Sequence, residues 1–323
     1  MQYKVSIKRK CYLLSVLLMT VWLTGCVQEE FESTPSPAGN GIRFTLTVPD
    51  VNLPSVSSRT MTGTGTAKKE DEIETVDILV FDMSKTPAVF LEWVSATGVT
   101  QDLADNSTVS FSAVLSPTTA STCIVVVANK ELDNIVSGFT KGATTKVEAM
   151  EKMLHTQTGK WLADGSTTGG YTRIPMYGEK VISRITPSMD PITGINMKRM
   201  LARIDIRNNS ATSNFTVEEV YLANYNTTGY IAPAWNTNGQ VTDPVPDTPV
   251  LPAGSGKMTE EGDAILYSVN GNTPYDGEIY TFESLAAEDA GGAGADGEAS
   301  RKDATCLIVK GRIGTGESTF YRV

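Results

Sequence analysis

The sequence has few of the residues that most often carry enzyme chemistry or bind metals: one histidine and four cysteines in 323 residues. A Ser-His-Asp triad would have to use His155, and no strand–turn–helix pattern presents a nucleophile anywhere in the chain. Motifs of the His-Glu-x-x-His kind are also missing. We therefore predict that the protein is not an enzyme and has no cofactor or metal site. His155 is interpreted as an exposed residue on a helix.

The four cysteines do not predict two disulfides. Cys11 lies in an N-terminal segment that we expect to be removed, and Cys26 directly follows that segment. Cys123 and Cys306 each lie in an apolar run, so we interpret both as small hydrophobic residues of the core. A bridge between these two, which an oxidising compartment would permit, stays open as the lesser alternative.

Residues 1–25 have the composition of an export signal. Four basic residues precede an apolar run from Tyr12 to Leu23, and a run of about 12 residues is too short for a bilayer core, which takes ~20. The run leads into Leu-Thr-Gly-Cys, which resembles a bacterial lipobox with Cys26 as the acylated first residue. Each CH2 group of an acyl chain that enters the membrane contributes ~0.8 kcal/mol to the free energy of membrane binding. Several acyl chains on Cys26 would therefore hold the protein durably. An ordinary signal peptide followed by a chance cysteine is the alternative.

Two further features concern location and partners. The acidic run Glu29, Glu30 and Glu32 resembles the tag that directs lipoproteins to the outer face of the outer membrane. We therefore predict a lipid anchor at Cys26 and a place on the bacterial outer membrane surface. The chain has a net charge of −10, which repels nucleic acid, so no nucleic-acid partner is expected.

Strand patterns dominate the rest of the chain. Ile42, Phe44, Leu46 and Val48 alternate with polar residues, which predicts a strand with one buried face. A loop rich in Gly, Ser, Thr and Lys follows at 49–71. Further strand patterns come at short spacing, in residues 73–82, 108–115, 123–129, 179–186, 200–208, 215–225, 264–269, 278–284, 305–314 and 318–323.

One helix is predicted among these strands. Thr145 and Glu148 form a capping-box pattern, and Val147, Met150 and Leu154 would share a face of the helix. The predicted fold class is therefore all-β: two tandem β-sandwich domains with one short helix in the first.

The strand patterns also suggest a division into domains. We predict a signal peptide (1–25), a propeptide with a polar tether and the first strand (26–59), an N-terminal sandwich (60–190) and a C-terminal sandwich (191–323). Two prolines and a glycine in 187–196 place the boundary. The chain ends at Val323 within an alternating pattern, so we expect that the last strands of the C-terminal sandwich are missing.

Two weaker patterns do not predict a ligand site. Gly292, Gly294 and Gly297 match G-x-G-x-x-G, but no strand leads into them and no helix follows, so we interpret them as a loop. Pairs of carboxylates suited to glycoside hydrolysis stay open, because acids are plentiful and their spatial positions do not follow from the sequence.

Taken in their order, several short motifs resemble the Bacteroidales fimbrillin family. They are Glu70 to Asp82 (EDEIETVDILVFD), Ile174 to Glu179 (IPMYGE), Arg199 to Ile206 (RMLARIDI), and residues 305–313 (TCLIVKGRI) followed by 320–323 (FYRV). The resemblance covers nearly the whole chain. It implies two transthyretin-like β-sandwiches, in agreement with the strand patterns, and a structural subunit of a cell-surface fimbrium that serves adhesion.

The resemblance also implies a route of maturation. An arginine-specific protease removes the lipid and the first strand, and another fimbrial subunit adds a strand to the exposed groove. Here the cut would fall between Arg59 and Thr60, with Lys68 and Lys69 as fallback sites. The removed strand would carry Ile42, Phe44, Leu46 and Val48. Family members donate a strand from their carboxy terminus, and this chain stops before such a segment.

Several alternatives stay open. Arg59 is otherwise a solvated loop residue, and the role of stalk, tip or anchor does not follow from the sequence. The competing function is that of a surface-retained glycan-binding lipoprotein, in which Trp93, Trp161 and Trp235 could stack on sugars.

Overall fold

The computed structural model describes residues 42–47, 70–101, 108–162, 172–206, 214–241, 249–253, 264–268, 275–284 and 304–323. These residues contain 17 strands and two short helices within the unit Gly41–Val323. No helix in these stretches is both long enough and apolar enough to cross a membrane.

The first ten strands and both helices come from the first part of the chain. They are β1 (Ile42–Thr47), β2 (Val76–Asp82), β3 (Val89–Ser95), β4 (Thr97–Gln101), β5 (Thr108–Ala113), β6 (Thr122–Ala128), α1 (Asp133–Val136), α2 (Lys146–Lys152), β7 (Leu154–Thr156), β8 (Met176–Ile182), β9 (Ile192–Asn196) and β10 (Lys198–Arg199). The remaining strands are β11 (Ala202–Ile206), β12 (Phe215–Ala223), β13 (Thr228–Tyr230), β14 (Ile265–Ser268), β15 (Tyr275–Thr281), β16 (Cys306–Ile313) and β17 (Thr319–Arg322).

Two sheets form the first sandwich. The first sheet has the order β4-β5-β1-β9, and the second has the order β10-β8-β6-β2-β3. Their facing side chains make one apolar cluster, to which β1 contributes Ile42, Phe44 and Leu46, and β2 contributes Ile78 and Val80. We refer to this cluster as the inner core. Alternation along β1 buries every second residue, as a strand with one covered face requires.

The second sheet is covered on its other face as well. There, Leu79 and Phe81 of β2 and Val125 of β6 pack against α2, Trp161 and residues near β13 and β15. We refer to this second cluster as the outer core. Because both faces are buried, Ile78 to Phe81 of β2 and Cys123 to Ala128 of β6 are continuous apolar sequences instead of alternating ones.

The later strands pair among themselves in two further sheets, β11-β15 and β14-β12-β16-β17. A third and smaller cluster lies among them, with Val217, Val220, Leu222, Tyr225, Tyr267, Ile279 and Leu307. A two-stranded sheet of β7 and β13 joins the segment after α2 to the segment after β12.

The all-β sandwich prediction is confirmed, with differences in detail. Two short helices are present instead of one, since Asp133–Val136 adds a single turn. The predicted capping box of Thr145 and Glu148 is present, but the helix ends at Lys152, so Leu154 lies in β7. The buried face consists of Lys146, Ala149 and Met150. Residues 187–196, expected as a boundary, contain β9 of the first sandwich; the domain division stays a prediction.

Candidate functional site

The first strand occupies a central position in its sheet. It pairs antiparallel with β5, which places Ile42 opposite Ala113, Phe44 opposite Phe111 and Leu46 opposite Val109. On its other side it pairs in parallel with β9, where Phe44 is in register with Ile192. Both hydrogen-bonding edges of β1 are therefore used, and its departure would leave a groove between β5 and β9.

Burial of β1 is confined to one face. Ile42, Phe44 and Leu46 are 5%, 1% and 0% exposed, while Thr47 on the other face is exposed. Fully burying such side chains contributes ~1.5–3 kcal/mol each. The three together then contribute roughly 4.5–9 kcal/mol as an upper estimate before entropic costs. This is of the order of the whole free energy of unfolding of an ordinary domain. Without β1 the sandwich would therefore lose most of its stability unless another strand filled the groove.

A β-bulge shapes the β9 side of the groove. One residue, Thr45, separates Phe44 from Leu46 on β1, but two residues separate their partners Ile192 and Ile195 on β9. Gly194 within this interval has φ of +71°, which glycine adopts without steric penalty. The extra residue allows Ile192 and Ile195 both to point into the inner core, where they are 3% and 0% exposed.

The chain between the expected cleavage loop and β2 is held by buried charge. Glu70 is 5% exposed. Its carboxylate accepts hydrogen bonds from Nη1 of Arg203, at 2.9 Å and 3.1 Å, and from the hydroxyl of Tyr280. Next to it, Asp71 forms an ion pair with Arg199, whose Nε also donates to the Glu70 carbonyl at 3.2 Å. We refer to these five residues as the Glu70 clamp.

Two amide side chains hold the backbone that follows the clamp. Nε2 of Gln101 donates to the Asp71 carbonyl at 2.6 Å, and its Oε1 accepts from the Ile73 amide at 3.1 Å. Nδ2 of Asn129 donates to the Glu72 carbonyl at 2.7 Å, and its Oδ1 accepts from the Glu74 amide at 3.0 Å. The backbone leading into β2 is thus tied to β4, β11 and β15 and to the end of β6.

The composition of residues 49–71 predicts a loop and does not reveal this role of Glu70 and Asp71. The signal was present in the motifs, because Glu70 opens one of them while Arg199 and Arg203 lie in another. Only the fold shows that these motifs meet.

His155 does not lie where it was predicted. It belongs to β7, not to a helix, and it is half-buried, with ring centroids 4.9 Å from Trp161 and 6.4 Å from Phe282. Both ring nitrogens are buried without a hydrogen-bond partner in the described part of the chain. Burial, with a smaller contribution from the charge of Lys130, lowers its pKa to about 4. The prediction of an exposed histidine is therefore wrong.

The two cysteines of the β-rich region are free, so the disulfide alternative is wrong. Cys123 is fully buried in β6, and burial raises the pKa of its thiol to about 12. Cys306 is half-buried in β16. Within the described stretches, no group of three or more His, Cys, Asp or Glu side chains could hold a metal ion.

A second buried ion pair lies beneath the second sheet. Lys146, 1% exposed, contacts Glu179 with its Nζ at 2.6 Å, and the hydroxyl of Tyr177 donates to the same carboxylate. Burial, reinforced by the negative charge of Glu179, raises the pKa of Tyr177 well above its usual range. The tyrosine therefore stays protonated and serves as a donor. This group ties α2 to β8.

The tryptophans considered for sugar stacking are packed into the protein to different degrees. Trp161 is 3% exposed, and its Nε1 donates to the Thr172 carbonyl at 2.9 Å, which makes it a core residue. Trp93 and Trp235 are half-buried and pack against the outer core. Trp161 therefore cannot be part of an exposed aromatic surface that stacks on sugars.

Several predicted site residues lie outside the described residues. They are the lipidation site Cys26, the processing pair Arg59 and Thr60, the fallback residues Lys68 and Lys69, and Val48 at the end of the first strand. The glycine pattern at 292–297 also lies outside.

Comparison with known proteins gives one family match. The family described as "Major fimbrial subunit protein (FimA)" matches residues 42–228, more than half of the chain. This range contains β1 and four of the five clamp residues. No curated protein matches the chain.

The solved structures that match this chain share little sequence with it. A fimbrial assembly protein from Parabacteroides distasonis is 12% identical, with 88% of this chain and 85% of that chain covered and a TM-score of 0.41. A proposed cell adhesion protein from the same species is 15% identical, with 88% and 80% covered and a TM-score of 0.49. A proposed polysaccharide binding protein from Bacteroides thetaiotaomicron is 11% identical, with 86% and 78% covered and a TM-score of 0.32.

Proposed function

Because this chain belongs to the major fimbrial subunit protein (FimA) family, we propose that it polymerises by losing β1 and accepting a strand from another fimbrial subunit. The assembled fimbrium serves adhesion. The observation that carries this proposal is the contrast around the loop 48–69. Before the loop, β1 is buried on one face only; after it, the Glu70 clamp holds the chain in place.

Loss of β1 would expose a groove with defined chemistry. The edges of β5 and β9 would present unpaired backbone groups, and Phe111, Val109 and Ile195 would lose apolar contacts. A strand from a neighbouring subunit restores both the hydrogen bonds and the burial. Donor and acceptor surfaces differ, so the contact is heterologous and continues from subunit to subunit as a filament.

Before assembly, the precursor is exported and held by lipid at Cys26 on the outer membrane surface. An arginine-specific protease then cuts between Arg59 and Thr60 and releases the lipid together with β1. Lys69 is a poorer site, because its neighbour Glu70 is buried and ion-paired, whereas proteases cut exposed loops. Cleavage at Arg59 leaves the clamp residues untouched.

Limited proteolysis tests this proposal. The precursor without its signal is treated briefly with trypsin and followed by intact mass, amino-terminal sequencing and size-exclusion chromatography. We expect one early cut after Arg59, a folded body that releases β1, and oligomers that resist SDS once a fimbrial subunit that carries a donor strand is added. An Arg59→Gln variant is the matched control and should stay uncut at this position and monomeric. A body that is cut at Arg59 but retains β1 and remains monomeric would contradict strand exchange.

Glycan capture has less support as a function. It predicts that substitution of an exposed tryptophan lowers the affinity for a polysaccharide, but Trp161 lies in the core, and Trp93 and Trp235 are half-buried.

A further inference from the structure

The groove that holds β1 is not uniformly apolar. Phe44 and Phe111 are the only aromatic side chains of the inner core among the described residues; the other members are Ile, Leu, Val, Ala and Met. The two rings lie opposite each other on β1 and β5. Their centroids are 5.0 Å apart and their planes differ by 8°. The groove that holds β1 therefore has one aromatic position, beside Phe111, with an aliphatic position on either side.

The neighbouring positions differ in size. Ile42 faces Ala113, two residues before the aromatic pair, and Leu46 faces Val109, two residues after it. A phenyl ring at either flanking position would meet an aliphatic partner, while an aliphatic side chain at the middle position would leave part of the Phe111 face uncovered. Both changes lose contacts or overfill the core.

The bulge on β9 lies at the same point. The register between β1 and β9 shifts between Phe44 and Leu46, so Thr45 is the residue that faces the extra length of β9. An incoming strand that slipped by one residue would turn its apolar side chains outward. A slip of two residues would keep them inward but would move the ring away from Phe111 and put a different residue opposite the bulge.

We propose that the groove selects its incoming strand by an aromatic side chain at the position of Phe44, flanked at two residues on either side by aliphatic side chains. The ring stacks on Phe111 and sets the register of the added strand. The partner is a strand of another subunit with the pattern aliphatic-x-aromatic-x-aliphatic. This inference rests on the proposed strand exchange and adds the chemistry by which the groove recognises one strand and one register.

Three peptides of identical composition test the proposal. The first has the sequence of residues 41–49, GIRFTLTVP. The second exchanges Ile42 and Phe44, and the third exchanges Phe44 and Leu46. Each fluorescent peptide is offered to the full chain without its signal, after one cut in the loop 48–69. Displacement of β1 is followed by anisotropy and native mass spectrometry.

We expect the first peptide to bind about tenfold or more tightly than either isomer, because the isomers lose the stack and overfill a flanking position. In a Phe111→Leu variant this preference should fall to about twofold, because no ring is left to stack. Equal binding of the three peptides to the unsubstituted chain would overturn the selection rule and leave strand exchange standing. Capture of none of them would contradict strand exchange itself.

The intact chain gives a second readout that does not depend on peptide capture. The double variants Ile42→Phe/Phe44→Ile and Phe44→Leu/Leu46→Phe keep the amino-acid composition of β1 and leave it covalently joined to the rest of the chain. Each should melt at a lower temperature than the unsubstituted chain, and the Phe111→Leu background should reduce the difference. Unchanged melting temperatures would overturn the assignment of Phe44 as the register-setting residue.

Discussion

Strands β1 and β2 both bury apolar side chains and both pair with a strand on each side, yet they are held in different ways. The side chains of β1 enter the inner core only. Those of β2 enter both cores: Ile78 and Val80 lie in the inner core, and Leu79 and Phe81 lie in the outer one. The segment before β2 is also fixed by the Glu70 clamp.

This difference teaches that hydrophobicity alone does not decide whether a strand can leave. Removal of β1 opens one core from one side, and the second sheet keeps its order and its other face. Removal of β2 would divide the second sheet between β3 and β6 and open both cores. A strand can therefore be removed when its side chains enter one core only and the segment after it is held independently, as the Glu70 clamp holds the segment before β2.

The largest effect should separate the two strands directly. Phe81→Ala removes a ring from the outer core and should lower the free energy of unfolding by about 3–5 kcal/mol, both before and after the loop is cut. Phe44→Ala should have a similar effect on the intact chain and almost none once β1 has left. Urea denaturation of both variants in both states measures this. Equal losses of unfolding free energy for Phe44→Ala before and after the cut would contradict the comparison.

The next effect tests the anchor. Glu70→Gln leaves Arg203 with a neutral partner in a buried setting and should lower the free energy of unfolding by about 1–3 kcal/mol. Glu74→Gln is the matched control: its carboxylate pairs with Arg173 but is 60% exposed, so its loss should stay below about 1 kcal/mol. Thermal or urea unfolding decides between them. Equal losses in the two variants would show that the clamp does not anchor the chain.

A smaller effect tests the groove wall. Gly194→Ala places a side chain at φ of +71° and should lower the free energy of unfolding by about 1–2 kcal/mol. It should also speed the release of β1 after the cut. Gly142→Ala, at φ of +74° in a loop away from β9, should cost a similar amount without changing that release. Stopped-flow displacement by the peptide of residues 41–49 measures the rate, and equal rates would contradict the role of the bulge.

A further effect concerns pH and should not distinguish the strands. The folded pKa of His155 is about 4 and its ordinary value is 6.5, so the unfolded chain binds the proton first as the pH falls. The free energy of unfolding should therefore decrease from about pH 6.5 down to about pH 4. In His155→Phe this pH dependence of the free energy of unfolding should disappear, which urea midpoints measured across the same pH range would show. An unchanged slope would contradict the buried neutral histidine.

The sequence predicted those parts of the site that follow a simple period. The alternation of Ile42, Phe44 and Leu46 predicted β1, and the apolar run at 123–129 predicted β6. β9 was missed because its bulge places Ile192 and Ile195 three residues apart, which breaks the alternation.

Features that depend on distant residues could not be predicted in the same way. The burial of Glu70 depends on Arg203 and Tyr280, 133 and 210 positions away in the sequence. The environment of His155 depends on Phe282 from another part of the chain. A period within one segment carries no information about such partners.

Hydrogen exchange of the chain, cut once in the loop 48–69 and compared with the uncut chain, tests the central claim most directly. The account predicts that amides of β1 and of its neighbours β5 and β9 lose protection after the cut, while amides of β2 and β6 keep theirs. If β1 stays as protected as β2, or if both sheets lose protection together, β1 is not a separately removable strand and the proposed assembly is wrong.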